Sequence, residues 1–117
     1  MGSFSFSEEE RIVKRAEFIN LKLHGTRYST QHFIVILKQN RRDITRLGIT
    51  VSKRVGNSVE RNRIKRSIRE FFRLSKQRIP KGYDIMIIAL EESNKLTFLK
   101  VQEELGGLLL KNDALFS

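Results

Sequence analysis

Leu47-Gly48-Ile49-Thr50-Val51, then Gly56-Asn57-Ser58-Val59-Glu60, then Ile64, Ile68, Phe71 and Phe72, and finally Ile85-Met86-Ile87-Ile88 form the succession that decides the fold. The first run is short and rich in β-branched residues, as a strand is. Gly56-Asn57 breaks it, and Asn57 with Glu60 three residues later marks a helix start. The next four apolar residues stand at i, i+4, i+7 and i+8, one face of a helix. Pro80-Lys81-Gly82 ends that helix. Residues 83–90 then hold a nearly continuous apolar run, expected of a central strand buried on both faces.

Before this core, Ser7 and Glu10 read as a capping box, and Ile12, Ala16, Ile19 and Leu23 follow at helical spacing until Gly25. They predict a first amphipathic helix. Residues 32–38 and 47–51, separated by the polar Asn40-Arg41-Arg42-Asp43, read as the two strands of an antiparallel hairpin, with room for a short strand before them near residues 26–30. Val101, Leu105, Leu108 and Leu109 predict a last helix. Gly106-Gly107 inside it weakens it by about 1 kcal/mol per glycine relative to alanine, so either the helix bends there or something packs unusually close. The order is α, two or three β, α, β, α: an α+β arrangement of helices on a mixed sheet.

The 117 residues suit one domain, 1–117, with no repeat, low-complexity tract or linker. Lys and Arg number 23 against 13 Asp and Glu, a net charge of +10. Such an imbalance calls for an acidic partner, most often a polyphosphate. The absence of cysteine excludes disulfides, thiolate metal sites and cysteine nucleophiles. No run approaches the roughly 18 apolar residues that span a bilayer, and residues 1–10 are acidic, unlike a signal peptide. A cytoplasmic protein with no membrane partner is expected. Met1-Gly2 does not fit a myristoylation signal, because Phe6 stands where Ser or Thr is required.

The basic residues are not spread evenly. Residues 52–78 hold ten (Lys53, Arg54, Arg61, Arg63, Lys65, Arg66, Arg69, Arg73, Lys76 and Arg78) against Glu60 and Glu70, so ten minus two gives +8 of the +10. At 100° per residue, Asn62, Lys65, Arg66, Arg69, Arg73 and Lys76 share a sector opposite Ile64, Ile68 and Phe71. A helix that merely faces solvent intersperses carboxylates, since like charges at i,i+4 repel. Arginine dominates this face, and its planar, weakly hydrated fork makes two-bond contacts with phosphate. Lys53, Arg54 and the Gly56-Asn57-Ser58 turn add donors at the helix N-terminus, where a phosphate or a hydrated metal–phosphate pair fits.

No comparable case exists for catalysis. Protein nucleases that use two metals need several converging carboxylates. Glu8, Glu9 and Glu10 cluster at the N-terminus, Glu91-Glu92 and Glu103-Glu104 read as solvent pairs, and only Asp84 borders a core strand. His24 and His32 stand where structural histidines usually do. No phosphate loop, dinucleotide fingerprint or nucleophile motif is present, so no residue is assigned a catalytic role.

The run of residues 47–59 resembles the strand and turn of the bacterial ribonuclease P protein family, and Arg61-Asn62-Arg63-Ile64-Lys65-Arg66-Ser67-Ile68-Arg69-Glu70 resembles its Arg-Asn-Arg helix. The likeness extends to Phe18, His24-Gly25 and Pro80-Lys81-Gly82-Tyr83-Asp84-Ile85, nearly the whole chain. It implies a two-layer α-β sandwich of order αβββαβα, similar to the second domain of ribosomal protein S5, with a left-handed βαβ crossover where a right-handed one is the rule. It further implies the ribonuclease P RNA and precursor tRNA as partners, with no protein partner required. Chemistry would belong to that RNA with magnesium, and no metal ligand in this chain is identified.

Carried over by position, Arg61, Asn62, Arg63, Lys65, Arg66 and Arg69 keep the family's pattern and are implied RNA-binding residues, and the charge pattern adds Lys53, Arg54 and Arg73 to them. Phe18 keeps an aromatic of the implied cleft for the 5′ leader of the precursor, Phe33 is a further candidate for it, and Lys65 and Arg69 are the charges expected nearest to Phe18. Phe18, beside Ile19 on an amphipathic helix, and Phe33, at the start of an apolar strand, also fit a core. Lys22 and Ile36 stand where relatives carry aromatics, which shifts leader binding toward electrostatics. From the residues alone, a ribosomal or ribosome-assembly protein is the second reading. A DNA-binding helix-turn-helix is the third, and the strand content opposes it.

Overall fold

The computed structural model describes residues 8–111 and 113–116. It contains three α-helices, α1 (Arg15–His24), α2 (Ser58–Ser75) and α3 (Phe98–Leu109), and four strands, β1 (Thr26–Ser29), β2 (Phe33–Gln39), β3 (Arg46–Val51) and β4 (Tyr83–Ala89). The strands form one sheet of order β1-β2-β4-β3. β2 is antiparallel to β1 and to β4, and β3 is parallel to β4.

The expected hairpin of β2 with β3 is therefore not formed. β4 lies between them, because it is the strand apolar on both faces and only a central position buries both. The polar 40–45 connection crosses the start of β4. The Asn40 N–H donates to the Gly82 carbonyl at 2.9 Å, and the Thr45 hydroxyl donates to the Pro80 carbonyl at 2.6 Å. β2 finds its hairpin partner in β1 instead.

The two faces of the sheet are covered differently. Phe33, Val35 and Leu37 of β2 join Ile85 and Ile87 of β4 under Ile64, Ile68, Phe71 and Phe72 of α2 and Val101, Leu105 and Leu109 of α3, the main core. The alternate residues Ile36 and Met86 face the other way and meet Leu21 of α1 and Ile12 in a smaller core. Side chains two apart on a strand share a face, which is why one apolar run feeds both layers.

The first helix differs from its sequence reading. Ser7 lies outside the described residues, Glu8–Glu10 forms a 3-10 turn, and α1 begins only at Arg15. Ile12 precedes the helix in an extended segment along β3, its N–H donating to the Leu47 carbonyl at 2.9 Å. Within α1 the buried residue is Leu21, whereas Ile19 and Leu23 are 47% and 71% exposed. Apolar residues surround this helix, so its own pattern does not choose a face. A tether does: Arg46 Nη2 of β3 donates to Glu17 Oε2 at 2.8 Å. In α3 the helix runs through both glycines, and a Cβ at Gly106 would stand an ordinary 3.7 Å from Phe71 and Leu110.

Candidate nucleic-acid interface

α2 is anchored at its N-terminus as the sequence predicts. The Asn57 side chain accepts from the Glu60 N–H at 2.9 Å, and Glu60 Oε1 accepts from the Asn57 N–H at 3.1 Å. Gly56 makes this possible, since a Cβ there would stand 2.5 Å from Glu60 Oε1. The bond from Asn57, reinforced by one from Asn94, holds the Glu60 carboxyl below its usual pKa. Its charge therefore sits against the positive end of the helix.

The basic residues of α2 divide by their bonds. Arg73 is paired with Glu70 through Nε at 2.9 Å and Nη2 at 2.7 Å, which raises its pKa. Lys76 grips both carboxylate oxygens of Glu10 at 2.8 and 2.9 Å, and Arg63 donates through Nη2 to the Asn94 carbonyl. Arg61 is half-buried, its Nη2 3.4 Å from the Ser58 hydroxyl and its Nε buried without a hydrogen-bond partner. Lys65, Arg66 and Arg69 make no hydrogen bond or ion pair among the described residues, and Asn62 beside them is exposed. The uncommitted charge thus lies on Lys65, Arg66 and Arg69, with exposed Lys53 and Arg54 before the helix. Arg73 and Lys76 belong to the sequence-read ridge but are already neutralised. Ion pairs with Glu10, 66 residues away, leave no trace in helical spacing.

A second surface lies on the α1 side of the sheet, where side chains from successive strands align in rows. Arg27, Ile36, Met86 and Gly48 form one row, and Ser29, Ile34, Ile88 and Thr50 the next. α1 covers the first of these. The ring of Phe18 lies directly over Gly48, where a Cβ would be 2.7 Å from Phe18 Cε1. Ile34, Ile88 and Thr50 in the next row stay half-exposed. The result is an apolar floor with one half-buried aromatic ring at its side.

Of the sequence-read cleft residues, Phe18 is thus on this face. Phe33 is not: it is fully buried among α2 and α3 residues on the opposite face, because its odd position on β2 turns it to the main core. Ile36 is also buried, beneath α1, and Lys22 is exposed. α2 lies on the opposite face from Phe18, and no bond or shared apolar cluster joins Phe18 to Lys65 or Arg69 among the described residues. Those two cations share one flank of α2 with Lys76, whose bond to Glu10 shows that this flank turns toward the segment beside β3. Ile34, Ile88 and Thr50 come together through the strand register, which sequence spacing does not show.

Asp84 and Glu104 are committed to bonds within the fold. Asp84 accepts from Arg46 Nε at 2.9 Å and Nη2 at 2.7 Å and from Asn40 at 2.8 Å. Glu104, expected as a solvent carboxylate, instead ties α3 to the sheet. It accepts from the Thr30 hydroxyl at 2.5 Å and the His32 N–H at 2.6 Å, with His32 Nδ1 at 2.7 Å. Among the described residues no three His, Asp or Glu side chains are placed to hold a metal ion together. Nor is any described helix long and apolar enough to cross a membrane.

A strongly basic helix laid on a small mixed sheet, with a half-exposed apolar row on the sheet's other face, defines an RNA-binding protein of the α+β class. The family model described as Ribonuclease P matches residues 6–113. The ribonuclease P protein component of Desulforapulum autotrophicum is 49% identical over 111 residues, covering 95% of each chain, and that of Syntrophus aciditrophicus is 45% identical. The solved Staphylococcus aureus RNase P protein superposes with a TM-score of 0.82 at 38% identity over 92% of this chain and 98% of its own. The Thermotoga maritima RNase P protein gives 0.80 at 34% identity over 88% and 97%. The chain belongs to the ribonuclease P protein family.

Proposed function

We propose that this chain is the protein subunit of bacterial ribonuclease P, binding the catalytic RNA and the 5′ leader of precursor tRNA so that the leader is removed and the mature 5′ end exposed. The observation that carries this is the segregation of surfaces: uncommitted cations on α2, and a half-exposed apolar row beside Phe18 on the opposite face. RNA contact through phosphates suits the first. The second suits a single strand, whose bases seek apolar and aromatic faces.

In this reading Lys53, Arg54, Asn62, Arg66 and Arg69 meet the ribonuclease P RNA, and Arg61 and Arg63 brace that surface. The leader lies over Ile34, Ile88 and Thr50 with Phe18 at its side, and reaches the Lys65 and Arg69 flank past the β3 edge. Magnesium is bound mainly by the RNA partner, where it supplies the hydrolytic chemistry. This chain lowers the electrostatic cost of bringing two RNAs together. The enzyme works in the cytoplasm and needs no further protein partner.

The test is stimulation of a bacterial ribonuclease P RNA at low magnesium. Addition of this chain should restore precursor cleavage where the RNA alone is inactive. A ribosomal protein of equal charge gives no such rescue, and failure by this chain would overturn the assignment.

A further inference from the structure

The two flanks of α2 end in different surroundings. Lys65, Arg69 and Lys76 turn toward the segment beside β3, whereas Arg63, Arg66 and Ser67 turn toward the segment leading into α3. There a cleft of about 610 Å³ opens, with Lys95, Leu96 and Phe98 on its far wall. That volume lies within the roughly 300–1,000 Å³ typical of ligand sites. Leu96 and Phe98 are half-buried, packed on the main core from one side and lining the cleft from the other.

The electrostatics favour an anion beside that ring. Arg66 has no partner among the described residues, and Lys95 has only the exposed Glu92, at 2.6 Å. Arg63 is held on the wall by its bond from Nη2 to the Asn94 carbonyl, which leaves its remaining donors available. The one carboxylate lining the cleft, Glu70, is bonded at both oxygens by Arg73. Guanidinium groups that bind phosphate next to a ring that stacks a base are the elements of single-strand recognition.

We propose that the α2–α3 cleft takes one unstacked nucleotide of a bound RNA, its base against Phe98 and Leu96 and its phosphate between Arg63, Arg66 and Lys95. This deepens the RNA-binding role proposed above and rests on it. The site is separate from the groove beside Phe18, since the sheet lies between them. The nucleotide belongs either to the ribonuclease P RNA or to the precursor, and the same chemistry serves both.

The isolated protein tests the site without cleavage. Adenosine 5′-monophosphate and ribose 5-phosphate are titrated into isotopically labelled protein by NMR. Shifts at Ser67, Leu96, Thr97 and Phe98 are expected, with the nucleotide about fivefold or more tighter. Phe98→Leu should cancel that preference, and Arg66→Ala, at an exposed position, should weaken both ligands without unfolding the chain. Equal affinity for the two ligands, or shifts confined to the Lys65 and Arg69 flank, overturns the proposal. In the assembled enzyme, weaker affinity of Phe98→Leu for the RNA subunit assigns the nucleotide to that RNA, and weaker affinity for the precursor alone assigns it to the substrate. If Phe98→Leu fails to fold, Lys95→Ala, on the far wall and outside the α2 surface, carries the same comparison. Unchanged affinity for both RNAs overturns the site, whereas failure to stimulate the RNA subunit at all would instead remove the ribonuclease P assignment.

Discussion

Arg46 and Asp84 are register partners in the parallel β3–β4 pair and are also joined side chain to side chain, Arg46 Nε and Nη2 donating to the two carboxylate oxygens at 2.9 and 2.7 Å. Both are nearly buried, and Arg46 Nη2 also holds Glu17. One guanidinium thus links the two strands and the helix that covers them.

Removing one partner from such a pair leaves a buried charge uncompensated, so Asp84→Asn should destabilise the fold by about 3 kcal/mol in chemical denaturation. The pH dependence has a definite sign. Burial pushes the Asp84 carboxyl up, but the bonds from Arg46 and Asn40 and the charges of Arg46 and Arg42 outweigh it, leaving it below its ordinary 3.8. A depressed folded pKa contributes stability above the unfolded value, lost as pH falls through the folded one. The wild type should therefore lose stability below about pH 4, and Asp84→Asn should lose less. Parallel acid limbs would show that the pair is not what titrates.

Gly48→Ala places a methyl 2.7 Å from Phe18 Cε1 and 3.3 Å from Ile12 Cβ. Overpacking of this kind costs about 1–3 kcal/mol. The double variant Gly48→Ala/Phe18→Ala should recover part of that loss, because the ring that clashes is gone. Thermal unfolding of the four proteins of the cycle measures the coupling, and simple additivity would mean that Phe18 does not rest on Gly48.

Phe18→Ala should narrow the difference in affinity between precursor and mature tRNA, since only the precursor has a leader to lie beside the ring. A stacked base contributes about 1–3 kcal/mol. Arg66→Ala should instead weaken assembly with the RNA subunit for both substrates alike. The affinities are measured with protein in saturating excess over RNA. A folded Phe18→Ala protein that keeps the full precursor preference would make Phe18 a core residue only.

RNA affinity should fall steeply with salt, because each phosphate neutralised releases a condensed counterion. Charge removal at Arg66 and Arg69, which make no bonds within the described residues, should reduce both the affinity and the slope while thermal stability changes little. Arg63→Ala should lower stability as well, through its lost bond to the Asn94 carbonyl. A nearly flat plot of log affinity against log salt would remove α2 as the binding surface.

Much of this was legible in residue order. The α2 cap at Asn57 and Glu60, its apolar face and the concentration of arginine on it depend on neighbours within a few turns, and local periodicity records such neighbours directly. Family resemblance extended that reading to the RNA partner. Consecutive order predicts that β2 pairs with β3, and the stripe Ile12, Ala16, Ile19 and Leu23 predicts the buried face of α1; both inferences are local, and the structure departs from both.

The three-dimensional arrangement settled what no local pattern encodes. Strand order depends on which strand can bury two faces, so β4, late in the chain, moves to the centre. The rotation of α1 depends on Glu17 meeting Arg46, 29 residues away. Phe33 and Phe18 looked alike as aromatic candidates, yet the parity of β2 sends Phe33 into the main core while α1 leaves Phe18 beside the open row. Glu10 and Glu104 changed from surface charges to committed partners for the same reason. Sequence spacing determines which residues share a face, but only the packed sheet determines what that face meets.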